Sequence, residues 1–161
     1  MAAPKTYRCT LEKRGNAHAI PITATVAAAF IANGNRRVIC TINHDHTVHV
    51  ALMFRKAAGD YYIYVGKGLL KKAGLTAGAA LKIQLATDDS EYQFEMPEEL
   101  AEVLATDADA HRIFHGLTPG RQRGLIHLVA MVKTVDKRIE RALRIADKIK
   151  GGITSPAAVL K

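Results

Sequence analysis

Two stretches within the first 96 residues repeat the same order of predicted elements: a strand, a short helix that ends at a glycine, and a hairpin. In the first stretch the elements are predicted over residues 19–22, 24–32, 38–42 and 47–53, with Thr23 capping the helix and Asn33-Gly34 ending it. In the second stretch they are predicted over residues 61–65, 69–73, 81–85 and 92–96, with Gly74 ending the helix and Asp88-Asp89 turning the hairpin. A repeat of about 40 residues is typical of a duplicated unit.

Neither copy of this unit can bury its apolar face alone, so the two are expected to fold against each other as a small β-barrel with the short helices at its ends. An additional strand over residues 7–11 is expected to complete the barrel. From Pro97 onward the apolar period changes from two to about 3.6 residues, which predicts helices, two of them capped by Asp107 and Thr118. The sequence therefore predicts an α+β fold: a barrel domain over residues 1–96, an all-helical region over 97–150 and a flexible tail over 151–161.

The length and composition exclude several classes of protein. A chain of 161 residues with 48% apolar and 24% charged residues is too short for a multidomain enzyme and too apolar for a disordered protein. Two cysteines cannot form a disulfide framework, and the first residues lack the apolar region of a secretory signal, so a cytoplasmic location is expected. The longest apolar stretch, residues 125–132, is too short for membrane insertion.

The last predicted helix, which starts at Asp136 and ends at Gly151-Gly152, separates cations from apolar residues. At about 100° per residue, one stripe about 60° wide contains Lys137, Arg141, Arg144 and Lys148. The opposite side is apolar and contains Ile139, Ala142, Leu143, Ala146 and Ile149. We expect the apolar side to pack on the preceding helices and the cations to face outward, although an ordinary solvated face has the same pattern.

The charge of the whole chain also points to this region. The chain has 23 Lys and Arg against 15 Asp and Glu, a net charge of +8, which favours polyanionic partners. Residues 111–161 contain 11 basic and 3 acidic residues, which is again +8. The sequence thus predicts a concentration of positive charge near the C-terminus, and the candidate anion-binding residues there are Lys133, Lys137, Arg138, Arg141, Arg144 and Lys148.

A second candidate for anion binding lies at Gly66-Lys67-Gly68, between a predicted strand and a short helix, where backbone N–H groups could receive a phosphate. Lys67, Lys71 and Lys72 add local positive charge. The segment matches neither the dinucleotide-binding pattern nor the P-loop pattern. A tight turn followed by solvated lysines is the alternative interpretation.

The histidines of the first hairpin suggest a metal site, because His44, His46 and His49 lie close together in the sequence. In an extended strand His46 and His49 point to opposite faces, so the imidazoles cannot converge without a bulge, and no metal is predicted. A hairpin that pairs residues whose numbers sum to an odd value would put Cys40 beside His49. Neither a catalytic triad nor a cofactor loop follows from these residues, so the prediction is a protein without catalytic residues or cofactors.

Several runs of the sequence resemble two known families. Residues 20–21, 40–43, 52–53 and 69–78 resemble a bacterial domain family of unknown function that has a double-split β-barrel. Residues 97–119 and 133–145 resemble the helical region called bacteriocin-protection, YdeI or OmpD-associated. The resemblance implies the double-split barrel as the fold. Two departures from the family patterns are Asn43-His44 in place of Asn-Gly, which demands a positive φ of a histidine, and Lys137 in place of a threonine.

These observations lead to two hypotheses on function. The first is a non-enzymatic binding module, plausibly monomeric, whose basic C-terminal helix contacts an anionic partner, either nucleic acid or an acidic protein. The AbrB and MazE DNA-binding fold, which double-split barrels resemble, provides an analogy at the level of the fold. The alternative is a stress or bacteriocin-resistance protein that acts through a protein or small-ligand partner at the barrel.

Overall fold

The predicted α+β class is confirmed by the computed structural model, which describes residues 4–32 and 34–161. The expected helix stop at Asn33 lies outside the described residues, whereas Gly34 has the expected positive φ of 76°. The chain divides into one unit that ends at Asp89 and a second that runs from Ser90 to Lys161. In the described residues the first unit contains eight strands and two short helices, and the second contains four helices.

The elements of the first unit, in chain order, are β1 (Lys5–Thr10), β2 (Glu12–Arg14), β3 (Ala17–Ile22), α1 (Ala24–Ile31), β4 (Arg37–Ile42), β5 (His46–Ala51), β6 (Met53–Arg55), β7 (Asp60–Val65), α2 (Lys67–Ala73) and β8 (Ala80–Thr87). Those of the second unit are α3 (Glu98–Thr106), α4 (Ala108–His115), α5 (Pro119–Ala130) and α6 (Val135–Lys150).

The duplication predicted from the sequence is visible in the element positions. β3, α1 and β4 begin at residues 17, 24 and 37, and β7, α2 and β8 each begin 43 residues later. The strands form two antiparallel sheets with the orders β1-β8-β4-β5 and β2-β3-β7-β6. Each sheet pairs equivalent strands at its centre, β8 with β4 and β7 with β3, so the two copies are related by an approximate twofold arrangement.

The predicted second hairpin is wrong. β8 pairs with β4 and with the N-terminal strand β1, which takes the place expected for residues 92–96. Gln93 has a positive φ of 52°, which interrupts an extended strand. Tyr92, Phe94 and Met96 instead pack against the helical core. Their alternation arises from one-sided packing on helices, and such alternation does not by itself require a strand partner.

Two buried leucines mark the points where the chain passes from one sheet to the other. Leu11 connects β1 to β2, and Leu52 connects β5 to β6. The N–H of Leu11 donates to the carbonyl of Ala79 at 2.9 Å, and the N–H of Leu52 donates to the equivalent carbonyl of Arg36 at 2.7 Å. These crossings give the split arrangement that the resemblance implied. No ladder joins the two sheets within the described residues, so both sheets remain open where a closed barrel was expected.

The first unit is held together by apolar side chains on the facing sides of the two sheets. α1 contributes Ala27 and Phe30 to this core. The strands contribute branched residues that strand interiors favour, including Ile20, Ile22, Ile42, Ile63, Ile83 and Leu85.

The turn between β4 and β5 has the positive φ values that the sequence demanded, 50° at Asn43 and 67° at His44. The side-chain carbonyl of Asn43 accepts from the N–H of Lys82 at 2.9 Å, which ties the turn to β8. The Asn43 N–H also donates to the Lys82 carbonyl at 2.7 Å. This pair of hydrogen bonds offsets the conformational cost of a left-handed histidine.

The helical unit begins its helices at the predicted caps. Asp107 accepts from the N–H of Ala110, and Thr118 accepts from the N–H of Arg121. α6 starts one residue before the expected position, because Thr134 caps it through the N–H of Lys137. The core of this unit contains Leu100, Phe114, Leu125, Ile126, Val129 and Ile145.

The flexible tail expected over residues 151–161 is also wrong. Val159 is fully buried in the helical core, and Leu160 packs against the same core. Pro156 lies directly against Gly124 of α5. The apolar residues of this segment pack against the helical core. They are too few to suggest a helix or a strand, and the sequence does not show the core surface that they contact.

The contact between Pro156 and α5 predicts a stability difference between two glycines of the same helix. A Cβ at Gly124 would lie 2.5 Å from Cγ of Pro156, whereas a Cβ at Gly120 meets no heavy atom of the described residues within 4 Å. We expect Gly124→Ala to lower the free energy of unfolding by roughly 1 to 3 kcal/mol in urea titrations, as overpacking does. Gly120→Ala is the matched control and should be neutral or stabilising by up to about 1 kcal/mol. Equal stability of the two variants would contradict the packing of the C-terminal segment.

Candidate anion-binding surface

The side of α6 that faces the core differs from the predicted one. Ala142, Ala146 and Ile149 are buried, as predicted, and Ile145 is buried as well. Ile139 and Leu143, which were predicted to be buried, are exposed. The helix is therefore rotated relative to the amphipathic pattern, and the reason lies in two arginines of the predicted basic set.

Arg138 points inward. Its Nε donates to Oε1 of Glu99 in α3 at 2.7 Å, and its Nη1 donates to the carbonyls of Val132 and Lys133 at 3.2 and 3.1 Å. A guanidinium that donates to a carboxylate and two carbonyls stabilises the fold. Arg138 stays a prediction as an anion-binding residue, although its guanidinium is already engaged in these contacts.

Arg141 is also engaged with the neighbouring helix. Its Nη1 donates to the carbonyl of Leu128 at 2.7 Å, in the last turn of α5. Carbonyl groups in the last turn of a helix lack intrahelical donors, and a cation there also interacts favourably with the helix dipole. Arg138 and Arg141, two of the candidate anion-binding residues, thus attach α6 to α3 and α5. No local sequence pattern indicates these carbonyl acceptors.

The remaining cations of α6 lie on the flank next to α5 and the C-terminal segment. Nζ of Lys137 donates to Glu140 at 3.0 Å, and Nη2 of Arg144 donates to the carbonyl of Lys161 at 3.3 Å. A cleft of about 290 Å³ is lined by Lys137, Glu140, Arg141, Arg144 and Leu160. Three cations and one carboxylate at one cleft make this the part of the predicted surface where an anion fits best. Lys148 continues the same flank and is half-buried, and Lys133 is exposed before the helix begins.

The positive charge is distributed differently from the prediction. Residues 1–89 contain 12 Lys and Arg against 5 Asp and Glu, a net +7, whereas residues 90–161 contain 11 against 10, a net +1. A division at residue 111 leaves out seven carboxylates that belong to the same helical unit. Two of these carboxylates form ion pairs with cations of α6. Glu99 pairs with Arg138, one of the candidate anion-binding residues, and Asp107 pairs with Lys150 at 2.6 Å.

These ion pairs shift the titration of their members. The hydrogen bond from Arg138 lowers the pKa of Glu99. The pKa of Asp107 is lowered first by the N–H of Ala110 that it caps and then by Lys150. The same contact raises the pKa of Lys150. The pairs between α6 and the α3–α4 segment are accordingly formed at neutral pH and lost in acid.

The second group of predicted cations lies on α2 in the first unit. Lys67 is the first residue of this helix, and Lys71 and Lys72 lie in its last turn, next to carbonyls that favour cations. All three side chains are exposed. Gly66 caps α2 without a side-chain hydrogen bond, and the helix has seven residues, so the arrangement is an ordinary turn with a local positive charge.

The two units coincide with two known families. Residues 6–85 match the family model described as a domain of unknown function (DUF1905), and residues 93–152 match the model described as bacteriocin-protection, YdeI or OmpD-associated. The chain joins a DUF1905 domain to a YdeI/OmpD-associated domain (the YdeI domain). A search of curated proteins finds no match. None of the described helices has the length and apolar character needed to cross a lipid bilayer.

The DUF1905 domain does not bring its histidines and Cys40 together. Cys40 pairs with Val48 and His49 pairs with Ile39, so the two side chains point to opposite faces of the sheet, and the suggested pair is wrong. Asp88, the one charged residue that is buried in the described chain, accepts from Nδ1 of His49 at 2.7 Å. Asp88 was predicted to lie in a turn, and no local sequence pattern indicates this contact. No group of three possible metal ligands occurs among the described residues.

Both thiols of the DUF1905 domain are made unreactive by burial. Burial raises the pKa of Cys9 to about 11 and the pKa of Cys40 to about 12. The pKa of Tyr7, whose hydroxyl is buried near both thiols, is raised for the same reason. A raised pKa lowers the thiolate fraction at neutral pH and so slows reactions in which the thiolate is the nucleophile.

The raised pKa values predict slow alkylation. At pH 8 the thiolate fraction of Cys9 should be about a hundredfold below that of a free cysteine, and that of Cys40 lower still, because each pKa unit is tenfold. We expect iodoacetamide to label the folded protein slowly and the urea-unfolded protein at the rate of a model thiol, as read by mass spectrometry. Cys9→Ala and Cys40→Ala separate the two sites. Rapid labelling of folded Cys40 would contradict its position in the core.

The Glu99–Arg138 pair predicts a specific acid response. A lowered pKa means that Glu99 stabilises the YdeI domain fully above its ordinary value of 4.5, and that this stabilisation is lost as the pH falls through the lowered value. We expect Glu99→Gln to lower the melting temperature at neutral pH and to flatten the fall of that temperature in acid, below about pH 4.5. Glu102→Gln, at an exposed position of the same helix, is the control. A Glu99→Gln curve parallel to that of the original protein would refute the assignment.

Proposed function

We propose that this protein is a non-enzymatic cytoplasmic binding module that contacts an anionic partner through the outer flank of α6. The observation that carries the proposal is the cleft of about 290 Å³ whose lining places Lys137, Arg141 and Arg144 together with one carboxylate. Arg141 is already held by the Leu128 carbonyl, so it provides a fixed positive charge. Lys137 and Arg144 make exposed contacts that a phosphate or a carboxylate of a partner can replace at low cost.

The partner proposed is a polyanion, either nucleic acid or an acidic protein. The YdeI domain has a net charge of +1, so the attraction at the cleft is local and acts within about 8 to 10 Å at physiological salt. Contacts of this kind position the phosphates of a nucleic acid but do not distinguish one base from another. The interaction is therefore weak, independent of nucleotide sequence and sensitive to salt.

The second candidate function is bacteriocin or stress resistance through a protein or small-ligand partner. The family description of residues 93–152 favours it. For a small ligand at the barrel the geometry gives little support, because the cavity beside Thr6, Thr41 and Lys82 has a volume of about 10 Å³. That volume is enough for about one water molecule. A protein partner is the form of this function that the chain supports better.

The anionic-partner proposal predicts charge-dependent binding that is specific to one surface. Fluorescence anisotropy with labelled DNA, RNA and a poly-glutamate peptide should show weak binding that decreases linearly with the logarithm of salt concentration. Lys137→Glu combined with Arg144→Glu should weaken it at least about tenfold, which corresponds to about 1.4 kcal/mol. Absence of binding to every probe at about 50 mM salt would refute the proposal.

Two double variants with the same change of charge serve as controls. Arg112→Glu with Arg121→Glu alters the YdeI domain away from the cleft and should have a much smaller effect. Lys71→Glu with Lys72→Glu tests the second predicted surface, on α2. An equal loss of binding in all three double variants would mean that net charge, and no particular surface, determines the affinity.

A further inference from the structure

An exposed apolar strip runs along the other flank of α6. It consists of Val135, Ile139 and Leu143, which follow one another at a spacing of four residues and are 53%, 41% and 53% exposed. Large apolar residues exposed singly are ordinary, but three in register on one helix flank form a patch that is typical of an interaction site. Met131, which follows the last residue of α5, is also 55% exposed.

The strip leads into a groove of about 560 Å³ between α6 and the junction of α3 with α4. Val103, Leu143 and Ala146 give the groove an apolar surface, and Asp107, Asp109 and Asp147 lie at its edge. Asp107 already accepts hydrogen bonds from the N–H of Ala110 and from Nζ of Lys150. Asp109 and Asp147 are largely exposed, and their nearest cations, Arg112 and Lys150, are each 3.7 Å away. Exposed pairs of this length are weak and can be replaced by a partner's cations.

Carboxylates also follow the strip along α6. With Val135 at 0° and about 100° per residue, the strip spans about 0° to 80° of the helix surface. Asp136, Glu140 and Asp147 occupy about 100° to 140°, immediately beside it on the solvent side. Lys137, Arg144 and Lys148 lie at about 180° to 220°, on the flank described above. The apolar strip is thus bordered by negative charge, and it lies on the opposite side of the helix from Lys137 and Arg144 of the basic cleft, which shares Glu140 with this border.

We propose that the apolar strip and the acid-rimmed groove bind a basic amphipathic helix of a partner protein. The apolar residues of such a helix, at spacings of three and four, insert between Val135, Ile139, Leu143 and the α3–α4 junction. Its Lys and Arg residues face Asp109, Asp136 and Asp147. This site goes beyond the proposed function, because it lies on the opposite flank of α6 and selects a partner of opposite charge.

Charge complementarity separates this occupant from the other candidates. A second copy of the chain, packed strip to strip in a symmetric dimer, would place the Asp136 and Asp147 rims of both copies next to each other, which costs affinity. Nucleic acid would meet the same carboxylates and has no apolar face to cover Leu143. A basic amphipathic helix satisfies the apolar strip and the rim together. The net charge of +8 does not oppose it, since the YdeI domain itself has a net charge of +1.

The test uses the full chain and a labelled synthetic peptide of about 18 residues, five helical turns, with Leu at amphipathic spacing and Lys and Arg at its flanks. We expect saturable binding in fluorescence anisotropy, with the peptide gaining helix by circular dichroism. Ile139→Ser with Leu143→Ser should weaken binding at least about tenfold, because apolar anchors dominate such interfaces. Asp136→Asn with Asp147→Asn should weaken binding and reduce its salt dependence. All four positions are exposed, so the variants should fold, and their melting temperatures verify this.

Three probes and one control variant make the result decisive. A scrambled peptide of the same composition and a peptide with Glu in place of Lys and Arg should bind at least about tenfold more weakly. Lys137→Glu with Arg144→Glu should leave binding of the basic peptide unreduced, while weakening any binding of nucleic acid. The proposal is overturned if the basic amphipathic peptide fails to bind at about 1 mM or binds no better than the scrambled one. Concentration-dependent dimerisation abolished by Ile139→Ser with Leu143→Ser would also overturn it, in favour of a second copy.

Discussion

The attachment of α6 by Arg138 and Arg141 determines which residues of the helical domain meet the solvent. Arg138 joins a carboxylate of α3 and two carbonyls after α5, and Arg141 joins a carbonyl in the last turn of α5. Charge-assisted hydrogen bonds of this kind have defined directions, whereas apolar contacts tolerate rotation of a helix. The two arginines therefore set the rotation of α6 about its axis. That rotation turns Lys137 and Arg144 outward on one flank and Ile139 and Leu143 outward on the other.

Local signals predicted the local structure well, because caps and turns depend on neighbouring residues. Thr23, Asp107 and Thr118 cap the expected helices, and Gly74 ends α2 in the left-handed conformation. The duplication was also visible, since both copies carry the same order of elements. The partner of β8 was not predictable in this way. The same alternation of apolar residues occurs over 92–96 and in β1, and only the pairing of distant segments decides that β1 completes the sheet.

The sequence indicates the cations of the candidate site but not their contacts, for a related reason. Their function in anion binding stays a prediction, and their division into structural and exposed cations depends on acceptors far away in the sequence. Glu99 and Asp107 lie about 40 residues from Arg138 and Lys150. A helical wheel of α6 alone assigns Leu143 to the core, and it gives no indication that Arg138 pairs with Glu99. The His49–Asp88 contact likewise joins positions 39 residues apart, and no local pattern indicates it.

The distribution of charge between the domains has a physical consequence for any partner. The DUF1905 domain holds a net +7 and the YdeI domain a net +1, so the long-range field that attracts polyanions arises mainly from the former. Within a Debye length, the arrangement of individual charges replaces net charge as the determinant of affinity. At that range α6 presents cations on one flank and an apolar strip with carboxylates on the other. A nearly neutral domain of this kind is a poor general attractor of either charge. Under both proposals it discriminates between partners by the flank that they contact, because each flank would repel the partner proposed for the other.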